Sequence, residues 1–183
     1  MISQKREQLL DAAERLFETQ GFHATGIDRI VTAAGVVRMT LYNHFASKDA
    51  LIQTVLARRH ERFLAALDAA VTASAPGKAT AALVAAHGEW LATRGDHGCI
   101  MVRAMGEFAE QNPALHTQAA AAKEDLRTRV RDAVARDAGT PDPDRADRIF
   151  LALEGWSATV PLMGAKSARH LAESTIKDLS RAG

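Results

Sequence analysis

Cysteine is nearly missing: Cys99 stands alone among 183 residues. A single thiol closes no intrachain disulfide, and such usage suits a reducing compartment. An excess of one charge is missing too. The 23 Lys and Arg face 22 Asp and Glu, a net +1. That balance excludes a nucleic-acid binder working by bulk positive charge, but not one that concentrates charge on a small surface. Long apolar runs are also lacking. The longest uncharged stretches, 111–122 and 155–165, fall far short of the ~20 apolar residues that span a bilayer. The opening MISQKREQLLDAAERLF breaks its apolar residues with charge too often for a secretory signal. The expectation is a soluble, cytoplasmic protein with no membrane partner. No nucleophile motif, Gly-rich phosphate loop, metal box or paired carboxylate arrangement is legible. The chain therefore reads as no enzyme, with no catalytic residue, no metal site and no cofactor.

What is present is alanine, the best helix former, within a chain that is 47% hydrophobic and long enough to bury a real core. Glycine and proline are sparse and β-branched runs nearly absent, so the fold class is all-α with about nine helices. In the first, Leu9, Ala13, Leu16 and Phe17 recur at helical spacing, and Gly21 marks its stop. Thr25, with Asp28 three residues on, predicts a capping box for a short second helix. Ile27, Ile30, Val31 and Ala34 form its inner face, and Gly35 ends it. A third helix spans about 37–45. Ser47 caps a long fourth helix, with Asp49 in its first turn, and Pro76-Gly77 closes it. Further helices are expected at 78–93, 97–110, 113–138, 144–163 and 167–181. Breaks fall at Gly95-Asp96, Asn112-Pro113, Gly139-Thr140-Pro141 and Gly164. Pro161 is expected to end or kink the eighth helix.

The segment from Thr25 to Lys48 carries the function. Two short helices joined through a Gly-containing turn are a helix-turn-helix signature, placed at about 26–45. Ala33 and Ala34 are small enough for a close helix crossing, and Gly35 permits a positive φ. The third helix is polar on one side (Arg38, Met39, Thr40, Asn43, His44), while Leu41 and Phe45 can dock on the first helix.

From about Ser3 to Phe63 the chain resembles the TetR (tetracycline repressor) family of bacterial transcriptional regulators. The matching residues include Ala12-Ala13, Leu16-Phe17, Gly21-Phe22, Ala33-Ala34-Gly35-Val36, Thr40-Leu41-Tyr42, His44-Phe45 and Ser47-Lys48-Asp49-Ala50-Leu51. The resemblance implies a DNA-binding domain over 3–63 and a helical ligand-binding and dimerisation domain over 64–183. It implies a homodimer on a palindromic double-stranded DNA operator, with each third helix in a major groove. It implies a repressor released by a small organic effector; an activator, a corepressor-dependent regulator and a redox sensor through Cys99 are the alternatives. Carried over, Thr25, Tyr42 and Lys48 are phosphate contacts. Arg38, Met39, Thr40, Asn43 and His44 are base-edge contacts. Two positions depart from the family. Val37 stands where a Ser or Thr usually caps the recognition helix, at a cost of ~1 kcal/mol. Met39 stands where a small residue is common.

In the larger domain the ligand candidates are His87, Trp90, Met101, Arg103, Met105, Glu107, Phe108 and Trp156. Arg103 and Glu107 are four apart, which suits either an exposed ion pair or a polar anchor in an apolar cavity. Two apolar stripes suit either a dimer interface or the intrachain core. They are Ile149, Leu153 and Val160 with Gly155 on the eighth helix, and Ala168, Leu171, Ala172, Thr175 and Leu179 on the last. Cys99 reads as a small buried hydrophobe, or as a redox-sensitive thiol at a helix N-terminus. His97 beside it does not make a metal site.

Overall fold

The computed structural model describes residues 3–94 and 97–181, and the expected break at Gly95-Asp96 lies outside them. Among the described residues there are nine helices and no strand. They are α1 (Gln4–Gln20), α2 (Ile27–Ala34), α3 (Arg38–His44), α4 (Lys48–Thr72), α5 (Ala79–Arg94), α6 (Ile100–Phe108), α7 (Pro113–Ala138), α8 (Pro143–Met163) and α9 (Ala165–Arg181). No helix is long and apolar enough to cross a membrane among these residues. The chain divides into two compact units. One comprises Met1–His60 with Ile100–Ala121, the other Glu61–Cys99 with Ala122–Gly183.

In the first unit α1, α2 and α3 pack on one another. Leu9, Leu10, Phe17, Phe22, Ile30, Leu41, Leu51 and Ile52 are almost wholly excluded from solvent and form its core. Gly21 ends α1 at φ 85°, a region that disfavours any side chain. The predicted capping box is not formed. Gly26 is the N-cap of α2, because the Thr25 hydroxyl turns inward and donates to the Gly21 carbonyl at 2.7 Å. Gly35 closes α2 in the left-handed region, with its N–H on Thr32 O and the Val36 N–H on Val31 O. Ser47 Oγ accepts from the Ala50 N–H and starts α4.

A buried ion cluster joins α1 to α4. Glu14 accepts from Arg58 Nη2 at 2.7 Å and Arg59 Nη1 at 2.9 Å. Arg58 also pairs with Glu7 and Asp11, and Arg59 with Glu18. Burial alone would raise the Glu14 carboxyl, but hydrogen bonds from Arg58 and Arg59 hold it below its usual value.

The second unit has its own core, with Leu83, Leu126, Val130, Ile149, Leu153, Trp156, Val160 and Ala168 at its centre. Asp137 caps α5, accepting from the Ala79 and Thr80 N–H groups at 2.8 Å each. Asp142 caps α8 through the Arg145 N–H, with Pro143 in the first turn. Helix α6 is shorter than expected because Gly98 (φ 81°) stops propagation before Ile100. Helix α8 continues through Pro161 to Met163; Pro161 forgoes only the one bond its N–H would make to the Ser157 carbonyl, and Gly164 ends the helix.

The two apolar stripes resolve in register. Ile149, Leu153, Val160, Ala168 and Ala172 are buried in the intrachain core, so they present no surface to a second chain. The outward face of α8 carries Leu151, Gly155, Ala158 and Leu162, with Leu151 71% and Leu162 83% exposed. On α9 Leu171 and Thr175 are exposed, and Leu179 is half-buried against the core.

Tight packing appears where α5 meets α8. A Cβ added to Gly88 would lie 2.6 Å from Cη2 of Trp156. Gly88→Ala is expected to destabilise the protein by about 1–3 kcal/mol through overpacking. Thermal unfolding of the variant measures this, and an unchanged midpoint would contradict the packing.

Candidate nucleic-acid interface

Helix α3 is held by its apolar side and displays the other. Leu41 and Phe45 are buried, and Arg6 lies 5.2 Å over the Phe45 ring. Facing outward are Val37 and Met39, each 68% exposed, and Tyr42 at 47%. Arg38 and Asn43 are exposed, and Thr40 and His44 half-buried. Val37 occupies the N-cap without a side-chain hydrogen bond, as its chemistry dictates. Lys5, Thr32, Val37 and Thr40 surround a notch of about 340 Å³ beside the Gly35 turn. Nothing in the local sequence separates Lys5 from any helix-surface lysine.

Three of the eight predicted DNA contacts make intrachain hydrogen bonds through their side chains. Thr25 is fully buried, and its hydroxyl serves the α1–α2 turn, so its side chain cannot reach a phosphate. Lys48 is half-buried and donates to the Phe22 carbonyl at 2.7 Å. Desolvation lowers its pKa, opposed by Asp49 and Glu107. Its ammonium carries three donors, so that carbonyl bond leaves capacity for a phosphate. Arg38 leans on Asp28 of α2, with Nε 3.1 Å and Nη2 2.5 Å from Oδ1.

The α1–α2 turn is fixed by a carboxylate far along the chain. Glu107 of α6 accepts from the Phe22 N–H at 2.9 Å and the His23 N–H at 2.8 Å. His23 Nε2 contacts the Glu107 carbonyl oxygen at 2.8 Å. A Cβ on Gly21 would sit 2.6 Å from Glu107 Oε1, a second reason for glycine there. Phe108 stacks beside Phe22 with centroids 5.3 Å apart.

These contacts revise the ligand candidates. Glu107 is engaged by the backbone N–H groups of Phe22 and His23. Phe108 and Met101 are buried. Arg103 reaches the Phe17 carbonyl at 3.4 Å. Met105 is half-buried, and its carbonyl meets His116 Nδ1. All five belong to the first unit. In the second unit His87 is 2% exposed, contacts Ser157 Oγ at 3.2 Å and packs against Trp156 and Phe63. Burial and the nearby Lys123 lower its pKa to about 3, which keeps it neutral in the core. Trp156 fills the space opened by Gly88. Trp90 borders an open groove, about 620 Å³, lined by Ala66, Ala70, Ala82, Ala85, Ala86, Glu89 and Thr93. A more polar cavity of about 660 Å³ includes Lys78, Thr80, Asp137, Arg145 and Lys177. The Cys99 thiol is half-buried, with Lys123 Nζ 3.5 Å from Sγ and 2.5 Å from Glu154 Oε1.

Residues 9–55 match the family of bacterial regulatory proteins, tetR family. The whole chain superposes on a TetR-family transcriptional regulator from Streptomyces coelicolor with TM-score 0.85 and 26% identity, covering 96% of each chain. This N-terminal segment belongs to the TetR family. The curated relatives include the HTH-type transcriptional regulator UidR of Escherichia coli K12, 40% identical over 60 residues. They also include the transcriptional activator FasR of Mycolicibacterium smegmatis, 47% identical over 55 residues. These alignments cover 33% and 30% of this chain, and 31% and 25% of the relatives' own lengths. What these relatives share with this chain is thus a stretch of about a third of its length or less.

Proposed function

We propose that this TetR-family chain is a dimeric transcriptional regulator that binds a palindromic operator through α3. The observation that carries the reading is the two-sided character of that helix. Leu41 and Phe45 anchor it, while Arg38, Met39, Tyr42 and Asn43 stand exposed together. Tyr42 and Lys48, with Lys5 beside the notch, serve the phosphates; Arg38, Met39, Thr40, Asn43 and His44 face base edges. Met39 and Val37 offer apolar surface suited to thymine methyl groups.

The proposed dimer face is the outward stripe of Leu151, Gly155, Ala158 and Leu162 on α8 with Leu171 and Thr175 on α9. It is apolar, narrow at Gly155 and Ala158, and unused by the intrachain core. The proposed action is repression, relieved by a small organic effector. The groove beside Trp90 suits a flat apolar molecule better than the occupied side chains of α6. Thermodynamically, an effector that lowers DNA affinity must itself bind DNA-bound protein more weakly by the same factor.

Selection of bound duplexes from a random pool tests the reading, and enrichment of one two-fold-symmetric sequence is the expected result. Tyr42→Ala is expected to weaken the recovered operator and unrelated DNA by similar factors, read by fluorescence anisotropy. A loss confined to the operator would reassign Tyr42 to base reading. No enrichment in the selection would overturn the proposal. A second reading, regulation through Cys99, draws on the Lys123 contact at Sγ. Unchanged operator affinity after alkylation of Cys99 would remove it.

A further inference from the structure

We propose that Asp28 is a positioning residue that aims Arg38 at a guanine in each operator half-site, an inference resting on the DNA-binding reading above. Asp28 stands in the first turn of α2 and Arg38 opens α3. The turn at Gly35 brings them together although ten residues separate them in sequence. Arg38 Nε lies 3.1 Å and Nη2 2.5 Å from the same carboxylate oxygen, Asp28 Oδ1.

The pair does little for the fold. Its side chains are 58% and 74% exposed, and ion pairs in that setting contribute little to stability. Its consequence is orientation. A free arginine samples many rotamers, which must be lost when it reads a base. Here one edge of the guanidinium, Nε with Nη2, is already engaged. The end-on edge, formed by Nη1 with the second hydrogen of Nη2, keeps parallel N–H donors pointing away from Asp28. That edge matches the paired acceptors O6 and N7 of guanine in the major groove. Adenine presents N7 beside an N6 donor, and one donor of the fork then meets another donor.

The carboxylate has a second effect. It carries negative charge onto the surface that faces DNA, where it repels phosphates. Arg38 is thereby held from the backbone contacts an unrestrained arginine makes with any sequence. The pairing trades non-specific attraction for base discrimination, which fits a chain whose net charge supplies little bulk attraction.

The test uses the full-length protein and duplexes taken from the selection, carrying either guanine or adenine at each enriched guanine. Affinities are measured for the unsubstituted protein, Asp28→Ala, Asp28→Asn, Arg38→Ala and the double variant Asp28→Ala/Arg38→Ala. The unsubstituted protein is expected to prefer guanine at one position per half-site by roughly tenfold or more. Asp28→Ala and Asp28→Asn are expected to cut that preference several-fold, while binding to unrelated duplex holds or tightens. The double variant is expected to discriminate no less than Arg38→Ala. Guanine preference retained in both Asp28 variants overturns the proposal. So does an equal loss on every duplex, which marks a purely structural role. Operator binding that is indifferent to Arg38 overturns this proposal alone, whereas absence of any sequence-selective binding overturns the DNA-binding reading with it.

Discussion

Glu14→Ala is expected to lower the stability of the N-terminal unit by about 3 kcal/mol or more, because it leaves two arginines short of their shared carboxylate in a largely buried place. Arg59 is 5% exposed and Glu14 4% exposed. Removing one partner of a buried pair costs more than the pair itself contributes, since the remaining charge keeps its desolvation penalty. Arg59 retains Glu18, and Arg58 retains Glu7 and Asp11, so the loss falls toward the lower end of the range. Acidification should act along the same route. The folded-state pKa of Glu14 is depressed from its ordinary 4.5. Its contribution is therefore complete above that value and disappears as pH falls through the lower folded-state value. Denaturant unfolding followed against pH measures both effects. The unsubstituted protein should lose stability on acidification below pH ~4.5 more steeply than Glu14→Ala. Parallel curves for the two proteins would show that Glu14 is not held by the arginines.

Leu151→Arg combined with Leu162→Arg is expected to yield a monomer that binds the operator roughly 100-fold more weakly. Two linked half-sites supply each other with effective concentration, and a monomer forfeits that gain. Both leucines are highly exposed within one chain, so the substitutions disturb no intrachain packing. Light scattering after gel filtration reads the mass, and anisotropy reads the operator. A dimer that survives both charges would place the interface elsewhere. The contrast variant Leu153→Arg, in the core of the same helix, should instead unfold the second unit.

Local signals explain what was legible in the sequence. Helix α7 runs over Pro113–Ala138 as read, because Asn112 caps it through the Leu115 N–H and Gly139 supplies its left-handed stop. Leu41 and Phe45 were legible as the anchored side of α3 because no polar group there would tolerate burial. The register of α8 was not. The helix offers two apolar stripes, and Ile149-Leu153-Val160 and Leu151-Gly155-Leu162 satisfy helical periodicity equally. Bulk separates them only after the neighbouring helices are placed. Glu107 drew notice as a carboxylate on an apolar helix, but its partners at Phe22 and His23 lie about 85 residues away and are backbone groups without a sequence mark. The ion cluster did leave a trace. Glu7, Asp11, Glu14 and Glu18 follow a helical stripe along α1, and Arg58-Arg59 is the basic pair that answers it.

The carboxylate of Glu107 also bears on how this protein is made and recombined. The turn that leads into the helix-turn-helix gains its hydrogen-bond acceptor only when α6 has been synthesised, well after α3 has left the ribosome. The turn is thus completed only after α6 has emerged. A hybrid regulator that fuses residues 1–63 to a foreign body must carry an acceptor for the Phe22 and His23 N–H groups. Without one, the transplanted segment keeps every proposed DNA contact and loses the brace beneath its first turn.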